Sequence, residues 1–135
     1  MTVLASLHQL SDWGLLALRI GVGVTFLVHG RQKRVMWGMQ PSAQMPAGML
    51  NLLRVLSIAE PLGGLATLVG LLTQVAAAGF IVDMVGAIRL KITQRHKGFS
   101  GEGGWEFEFL LLVGAIALLL LGAGKFALDR VVLGI

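Results

Sequence analysis

No cysteine occurs in the 135 residues, which removes thiol–disulfide exchange, cysteine-bound iron–sulfur clusters and covalently attached haem from consideration. Charge is nearly as scarce. Asp, Glu, Lys and Arg make up 13% of the chain, roughly half the share found in soluble domains. So few charges cannot solvate a surface, and a mean hydropathy of +0.81 points to an integral membrane protein. The opening residues lack the basic run and small-residue cleavage site of a secretory signal. The first apolar stretch, beginning after Trp13, is therefore expected to be a retained membrane helix. No internal repeat is visible and no metal-ligand spacing occurs. The run Gly101-Glu102-Gly103-Gly104 has neither the strand nor the lysine of a phosphate loop.

Long apolar runs take the place of what is missing. Four segments are long enough to cross a bilayer: about Trp13–Gly30, Asn51–Leu71, Val75–Leu90 and Trp105–Leu121. The expected fold is all-α, an integral membrane four-helix bundle making one domain over residues 1–135. Only Leu72-Thr73-Gln74 join the second helix to the third, which makes those two antiparallel neighbours. The Met-rich connection Arg31–Leu50, broken by Pro41 and Pro46, reads as an interfacial loop holding a short amphipathic piece. Glycines at 98, 101, 103 and 104 end the third connection.

The formal charge of +4 and pI near 10.4 come from Lys and Arg concentrated in two loops. Arg31, Lys33 and Arg34 lie in the first, and Lys91, Arg95 and Lys97 in the third; the opposite side has only Lys125 and Arg130. The positive-inside rule then places loops 31–50 and 91–104 in the cytoplasm and both termini outside. The partner these charges imply is the lipid bilayer with its anionic headgroups, not nucleic acid. Trp13, Trp37 and Trp105 fall at the boundaries, as an aromatic belt would.

The informative residues are the charges inside the apolar runs. Glu60 and Asp83 lie midway along the second and third segments, and Arg19 lies within the first. A carboxylate at that depth costs about 2.5–3.5 kcal/mol, so it is expected to face the interior and find a partner. Arg19 is the expected partner. Ser57, Glu60, Gly63, Gly64 and Thr67 share one small polar face, and Ala76, Gly79, Asp83, Gly86 and Leu90 share another. Small residues allow close approach in lipid, so these faces are expected to meet and turn both acids inward. Two acids and one arginine cannot all be charged and neutralised together, so one carboxyl is expected to keep its proton. Two readings stay open: an Arg–carboxylate clamp that only fixes helix register, or a proton-accepting site in a relay or beside a ligand.

A second group, His29, Lys33, Arg54, Arg89 and His96, lies at the inner edge. Its basic members read first as snorkelling toward phosphate headgroups, and its histidines as interfacial hydrogen bonders rather than metal or haem ligands. Glu106 and Glu108 suit the positive end of the fourth helix. Being two apart they point to opposite sides, so only one can face the bundle.

Taken in order, the residues resemble the DoxX family of small membrane proteins. Leu18-Arg19-Ile20-Gly21 and Phe26-Leu27-Val28-His29-Gly30 with Lys33 resemble its opening. Ala59-Glu60-Pro61-Leu62-Gly63-Gly64 and Gly70-Leu71-Leu72-Thr73 continue the likeness, which closes with Gly103-Gly104-Trp105-Glu106 and Gly122-Ala123-Gly124-Lys125-Phe126-Ala127-Leu128-Asp129. No single motif is specific; the arrangement together is. The family takes its name from a small subunit associated with quinone-linked sulfur oxidation. By position, Arg19, His29, Lys33, Glu60 and Glu106 match its recurrent polar residues, while Asp83 and His96 match less closely.

The resemblance implies a redox-associated subunit that binds a quinone or other lipid-soluble ligand in a polar intramembrane pocket. Such a subunit has no redox centre of its own and needs an electron-carrying partner protein. Its expected ligand-binding or buried polar residues are Arg19, His29, Lys33, Glu60, Asp83, Arg89, His96 and Glu106. No cofactor is encoded by motif, no metal site is expected, and quinone is the one candidate group. A non-enzymatic membrane scaffold or partner subunit is the alternative. Transport of protons or a small anion along Arg19, Glu60 and Asp83 ranks below both, because one bundle without internal repeats would need to form a homo-oligomer to alternate access.

Overall fold

Only three prolines punctuate the chain: Pro41 and Pro46 lie in the connection before Ala47, while Pro61 sits inside a long helix without ending it. The structure, a computed structural model, describes residues 2–135. Its elements are α1 (Val3–Ser6), α2 (Ser11–Gln32), α3 (Ala47–Val69), α4 (Thr73–Thr93), α5 (Glu106–Leu121) and α6 (Leu128–Val132). Short 3₁₀ turns occupy Leu7–Leu10 and Lys33–Gly38, the second being the short piece expected between the first two long helices. The described residues contain no strand, so the chain is all-α as expected. By length and composition, the helical run Val3–Gly38 and the α3 helix are each able to cross a membrane. The α5 helix, with 16 residues, is shorter than the roughly 20 of a perpendicular crossing.

The helices α2 to α5 pack as a ring, with α2 against α3 and α5, and α4 against the same two. The tightest approach joins α2 and α3. A Cβ on Gly64 would lie 2.6 Å from the Gly23 carbonyl oxygen and 2.7 Å from the Leu27 nitrogen, and one on Gly30 would run into the Pro61 ring. The sequence expectation pressed the small face of α3 against α4, and it holds at Gly63, where a Cβ would lie 2.9 Å from the Phe80 ring of α4. Gly64 serves α2 instead, and α3 and α4 stand apart over much of their length around a cavity. Because the atoms facing Gly64 are backbone, Gly64→Ala must push α2 and α3 apart. It should cost about 1–3 kcal/mol, read as a lower melting temperature in detergent. Gly79→Ala is the control: its Cβ meets nothing within 4 Å, and melting should stay unchanged.

The core is apolar where α2, α4 and α5 converge on Val22, Phe26, Ala77, Phe80, Met84, Leu111, Ala115 and Leu118. The Phe26 and Phe80 rings stack at 3.7 Å. Outside that core the usual distribution is inverted. Val82, Leu110 and Leu120 are 74%, 69% and 76% exposed, while Arg19, Glu60, Thr67 and Asp129 are buried. Apolar outside and polar inside is the arrangement suited to a lipid surround.

One end of the ring is tied by polar groups. Gly70 ends α3 in the left-handed conformation (φ 73°), and the Leu71 N–H donates to the Ala66 carbonyl at 2.8 Å. The Asp129 carboxylate accepts the N–H groups of Leu72 and Thr73 at 2.5 and 3.0 Å, capping α4 from a distant part of the chain. The Asp129 N–H in turn donates to the Gly70 carbonyl at 2.7 Å. Arg19 completes this knot.

Candidate functional site

Arg19 does not meet Glu60 or Asp83. Its guanidinium donates to the carbonyls of Thr67 (3.0 Å), Leu68 (2.7 Å), Ala123 (3.2 Å) and Phe126 (2.9 Å). The expected Arg–carboxylate clamp, and a charged line through Arg19, Glu60 and Asp83, are thereby corrected. The cause is helix register. Gly30 lies level with Glu60, and Arg19 is eleven residues earlier on α2, about 16 Å away along the axis. Four convergent carbonyls give the guanidinium partners without a carboxylate.

Glu60 is instead paired with Lys33, whose ammonium donates to both carboxylate oxygens at 2.7 Å. Lys33 follows the last turn of α2, so the basic inner-edge group and the intramembrane acids form one site rather than two. Asp83, from α4, lines the same cavity and the same recess as Glu60, so the two carboxyls stand on facing walls. The inward turn of both acids is therefore as expected, although their countercharge comes from a different residue.

These groups line a cavity of about 450 Å³ between α3 and α4. Its polar end is formed by His29, Lys33, Glu60, Asp83 and Glu108. Its walls are apolar, with Met49, Leu52, Leu53 and Leu56 from α3 and Val82, Met84 and Leu90 from α4. Gly79 and Gly86 keep the α4 wall thin, since a Cβ on either would meet open space. Leu52 and Val82, at 51% and 74% exposed, mark the mouth on the outer side of the ring. A narrower recess of about 150 Å³ continues past Glu60 and Asp83 toward Gly63, Ala76 and Phe80.

Of the two glutamates opening α5, Glu108 faces inward. It lines the cavity and pairs with Lys91 at 2.7 Å, and Lys91 also donates to the Gly104 carbonyl at 3.0 Å. Glu106, which the resemblance singled out, is exposed and outside the cavity, because the α5 face carrying Glu108, Leu111, Ala115 and Leu118 is the one that packs inward. Arg89 and His96 are likewise exposed and line no part of the cavity. His96 sits in the connection after α4 with a left-handed backbone (φ 51°). His29 stays at the site, its ring 5.2 Å from that of Phe107. Arg54 holds the turn after α2 by donating to the carbonyls of Met36 (3.0 Å) and Met39 (2.8 Å). Trp37 donates to Ser57 Oγ at 2.8 Å, so this boundary tryptophan also fastens the turn to α3.

Sequence reasoning missed Lys91 as a partner and Asp129 as a cap. For Glu108 a signal existed, since it shares helical spacing with Leu111, Ala115 and Leu118, but α5 is apolar on every side and hides the stripe. The site has no group of three or more His, Cys, Asp or Glu side chains able to hold a metal ion among the described residues. What it offers is a charged, hydrogen-bonding head chamber joined to an apolar channel. Apolar walls with a few convergent polar groups are the build of a small-molecule site.

Comparison with known proteins bears on this arrangement. The chain is 35% identical over 123 residues to the Bacillus subtilis (strain 168) protein named "Putative oxidoreductase CatD", covering 86% of this chain and 84% of the relative. It is 34% identical over 143 residues to "Uncharacterized membrane protein Rv3486" of Mycobacterium tuberculosis (strain ATCC 25618 / H37Rv), covering 92% of this chain and 84% of that one. No solved structure matches. The DoxX family model matches residues 14–93, the stretch that supplies Arg19, His29, Lys33, Glu60, Asp83 and Lys91. With an all-helical, lipid-suited fold and two relatives similar over most of their length, the chain belongs to the DoxX family of membrane proteins.

Proposed function

We propose that the cavity between α3 and α4 binds a quinone or a comparable lipid-soluble amphiphile, and that the protein acts as the membrane subunit of an oxidoreductase. The observation that carries this reading is the joining of a charged chamber to an apolar channel in one cavity of about 450 Å³. A polar head would sit among His29, Lys33, Glu60, Asp83 and Glu108, with a tail running along Leu52, Leu56 and Val82 toward the mouth. The relative named as an oxidoreductase supports a redox setting. A bound quinone would carry an electron pair, and a partner protein would deliver it. The chain's own residues bind and orient the head, with the Glu60 and Asp83 carboxyls both lining the chamber it would occupy.

The same reading has all four long helices crossing the inner membrane as a single domain, with loops 31–50 and 91–104 cytoplasmic and both termini outside. It is supported by apolar outer faces on every long helix and by the exposed Arg31, Arg34, Arg89, Arg95 and Lys97 in or beside those two loops.

The test uses full-length protein in lipid nanodiscs and a decyl-chain benzoquinone supplied in either redox state, with empty discs as the partition control. Retention above the control is expected. Gly86→Leu should fill the space beside Asp83 and weaken retention at least about tenfold. Melting should move little, because the new side chain enters open cavity. Retention no greater than in empty discs would sink the reading.

A further inference from the structure

The hydrogen-bonding capacity of the cavity is lopsided. Lys33 is engaged by both oxygens of Glu60, and Lys91 is engaged by Glu108 Oε1 and the Gly104 carbonyl. The donors are largely committed. The acceptors are not: Glu108 is 9% exposed, and its Oε2 is buried without a hydrogen-bond partner among the described residues. Asp83 Oδ2 is likewise buried with no hydrogen-bond partner among the described residues. His29 makes no side-chain hydrogen bond among the described residues and can donate or accept.

A ligand completing this chamber must therefore bring donors. An oxidised quinone head offers only carbonyl acceptors, which would leave Glu108 Oε2 unmet. The two-electron-reduced head offers two hydroxyl donors on the same skeleton. We propose that the cavity selects the reduced, hydroxyl-bearing form of its lipid-soluble ligand, with Glu108 Oε2 accepting one hydroxyl and Asp83 placed to accept another. This rests on the reading above that the cavity holds such a ligand, and adds which form it takes. A head with hydroxyl donors of another kind satisfies the same acceptors. The quinone pair serves as the probe because its two members differ by two hydrogens and little else.

The experiment measures equilibrium binding of decyl benzoquinone and of its hydroquinone to the full-length protein in nanodiscs under argon, each corrected for partition into empty discs. One hydrogen bond to a buried carboxylate corresponds to about tenfold in affinity, so the hydroquinone should bind at least about tenfold more tightly. For a two-electron couple, each tenfold raises the midpoint potential of the bound pair by about 30 mV. Glu108→Gln exchanges one acceptor for an amide donor and should shrink the preference or turn it toward the quinone. Asp83→Asn does the same by a second route should the first variant fail to fold. Equal binding, or tighter quinone binding, overturns the selection of the reduced form while the ligand site stands. A preference unchanged in both variants overturns the assignment of Glu108 and Asp83 as acceptors. Binding of neither form overturns this inference together with the reading on which it rests.

Discussion

Arg19→Ala should lower the melting temperature in detergent by roughly 10 °C or more while the surviving folded protein still binds ligand. The guanidinium is 1% exposed and satisfies four carbonyls from two separate parts of the chain, the end of α3 and the segment 123–126. Removing it leaves these carbonyls short of a donor in a setting where water is scarce. Each buried orphan costs about 1–3 kcal/mol, and with incomplete additivity the total should reach at least about 3 kcal/mol. Arg19→Lys should recover only part, since one ammonium cannot span the fork of acceptors that the planar guanidinium reaches. The cavity lies beyond Glu60, about 16 Å along the helix, so its affinity should change less than twofold. An Arg19→Ala protein that melts normally but loses ligand would restore the paired-acid role expected from sequence and refute Arg19 as the tie between the end of α3 and segment 123–126.

The Lys33–Glu60 pair gives the second large effect, and its two consequences can be separated. Lys33→Met leaves the Glu60 carboxylate, 2% exposed, beside Asp83 without its countercharge. Breaking a buried pair from one side costs about 3–5 kcal/mol; the Lys33 side chain is 22% exposed, so about 2–3 kcal/mol is expected here. Glu60→Gln should destabilise for the converse reason. The double variant removes both charges and should regain most of the loss, because an absent pair strands no ion. Ligand binding should not return with stability, since the double variant has lost two of the polar groups that line the head chamber. A cycle of melting temperatures and affinities over the four proteins checks this. Purely additive melting would show that the pair carries no coupling, and binding restored in the double variant would show that these groups do not contact the head.

How far the chain could be read in one dimension follows from which interactions are local. The four long helices came through because uninterrupted apolar runs leave few alternatives to intrachain hydrogen bonding in lipid. Their ends shifted by as much as four residues, since caps such as Asp129 on Leu72 and Thr73 come from 56 or 57 positions away. Glu60 and Asp83 were legible as interior groups because a carboxylate in an apolar run has nowhere inexpensive to point but inward. Their partners were not. Which cation meets Glu60 depends on how α2 slides along α3, and that is set by close backbone approach at Gly23, Gly64 and Gly30. A slide of seven residues, about 10 Å, would have brought a different side chain level with it.

The choice between Glu106 and Glu108 shows the same division. Their spacing alone says that one faces in and one faces out. On a helix apolar all round, only packing of Leu111, Ala115 and Leu118 into the core decides the rotation. Composition and the positions of isolated charges therefore determined that this is a helical membrane protein with a polar interior, since the cost of stranding charge in lipid is carried by each residue separately. Tertiary structure alone decided that Lys33 rather than Arg19 completes the acid site, and that α3 and α4 part to make a cavity. Those outcomes depend on contacts between helices, and no single helix contains them.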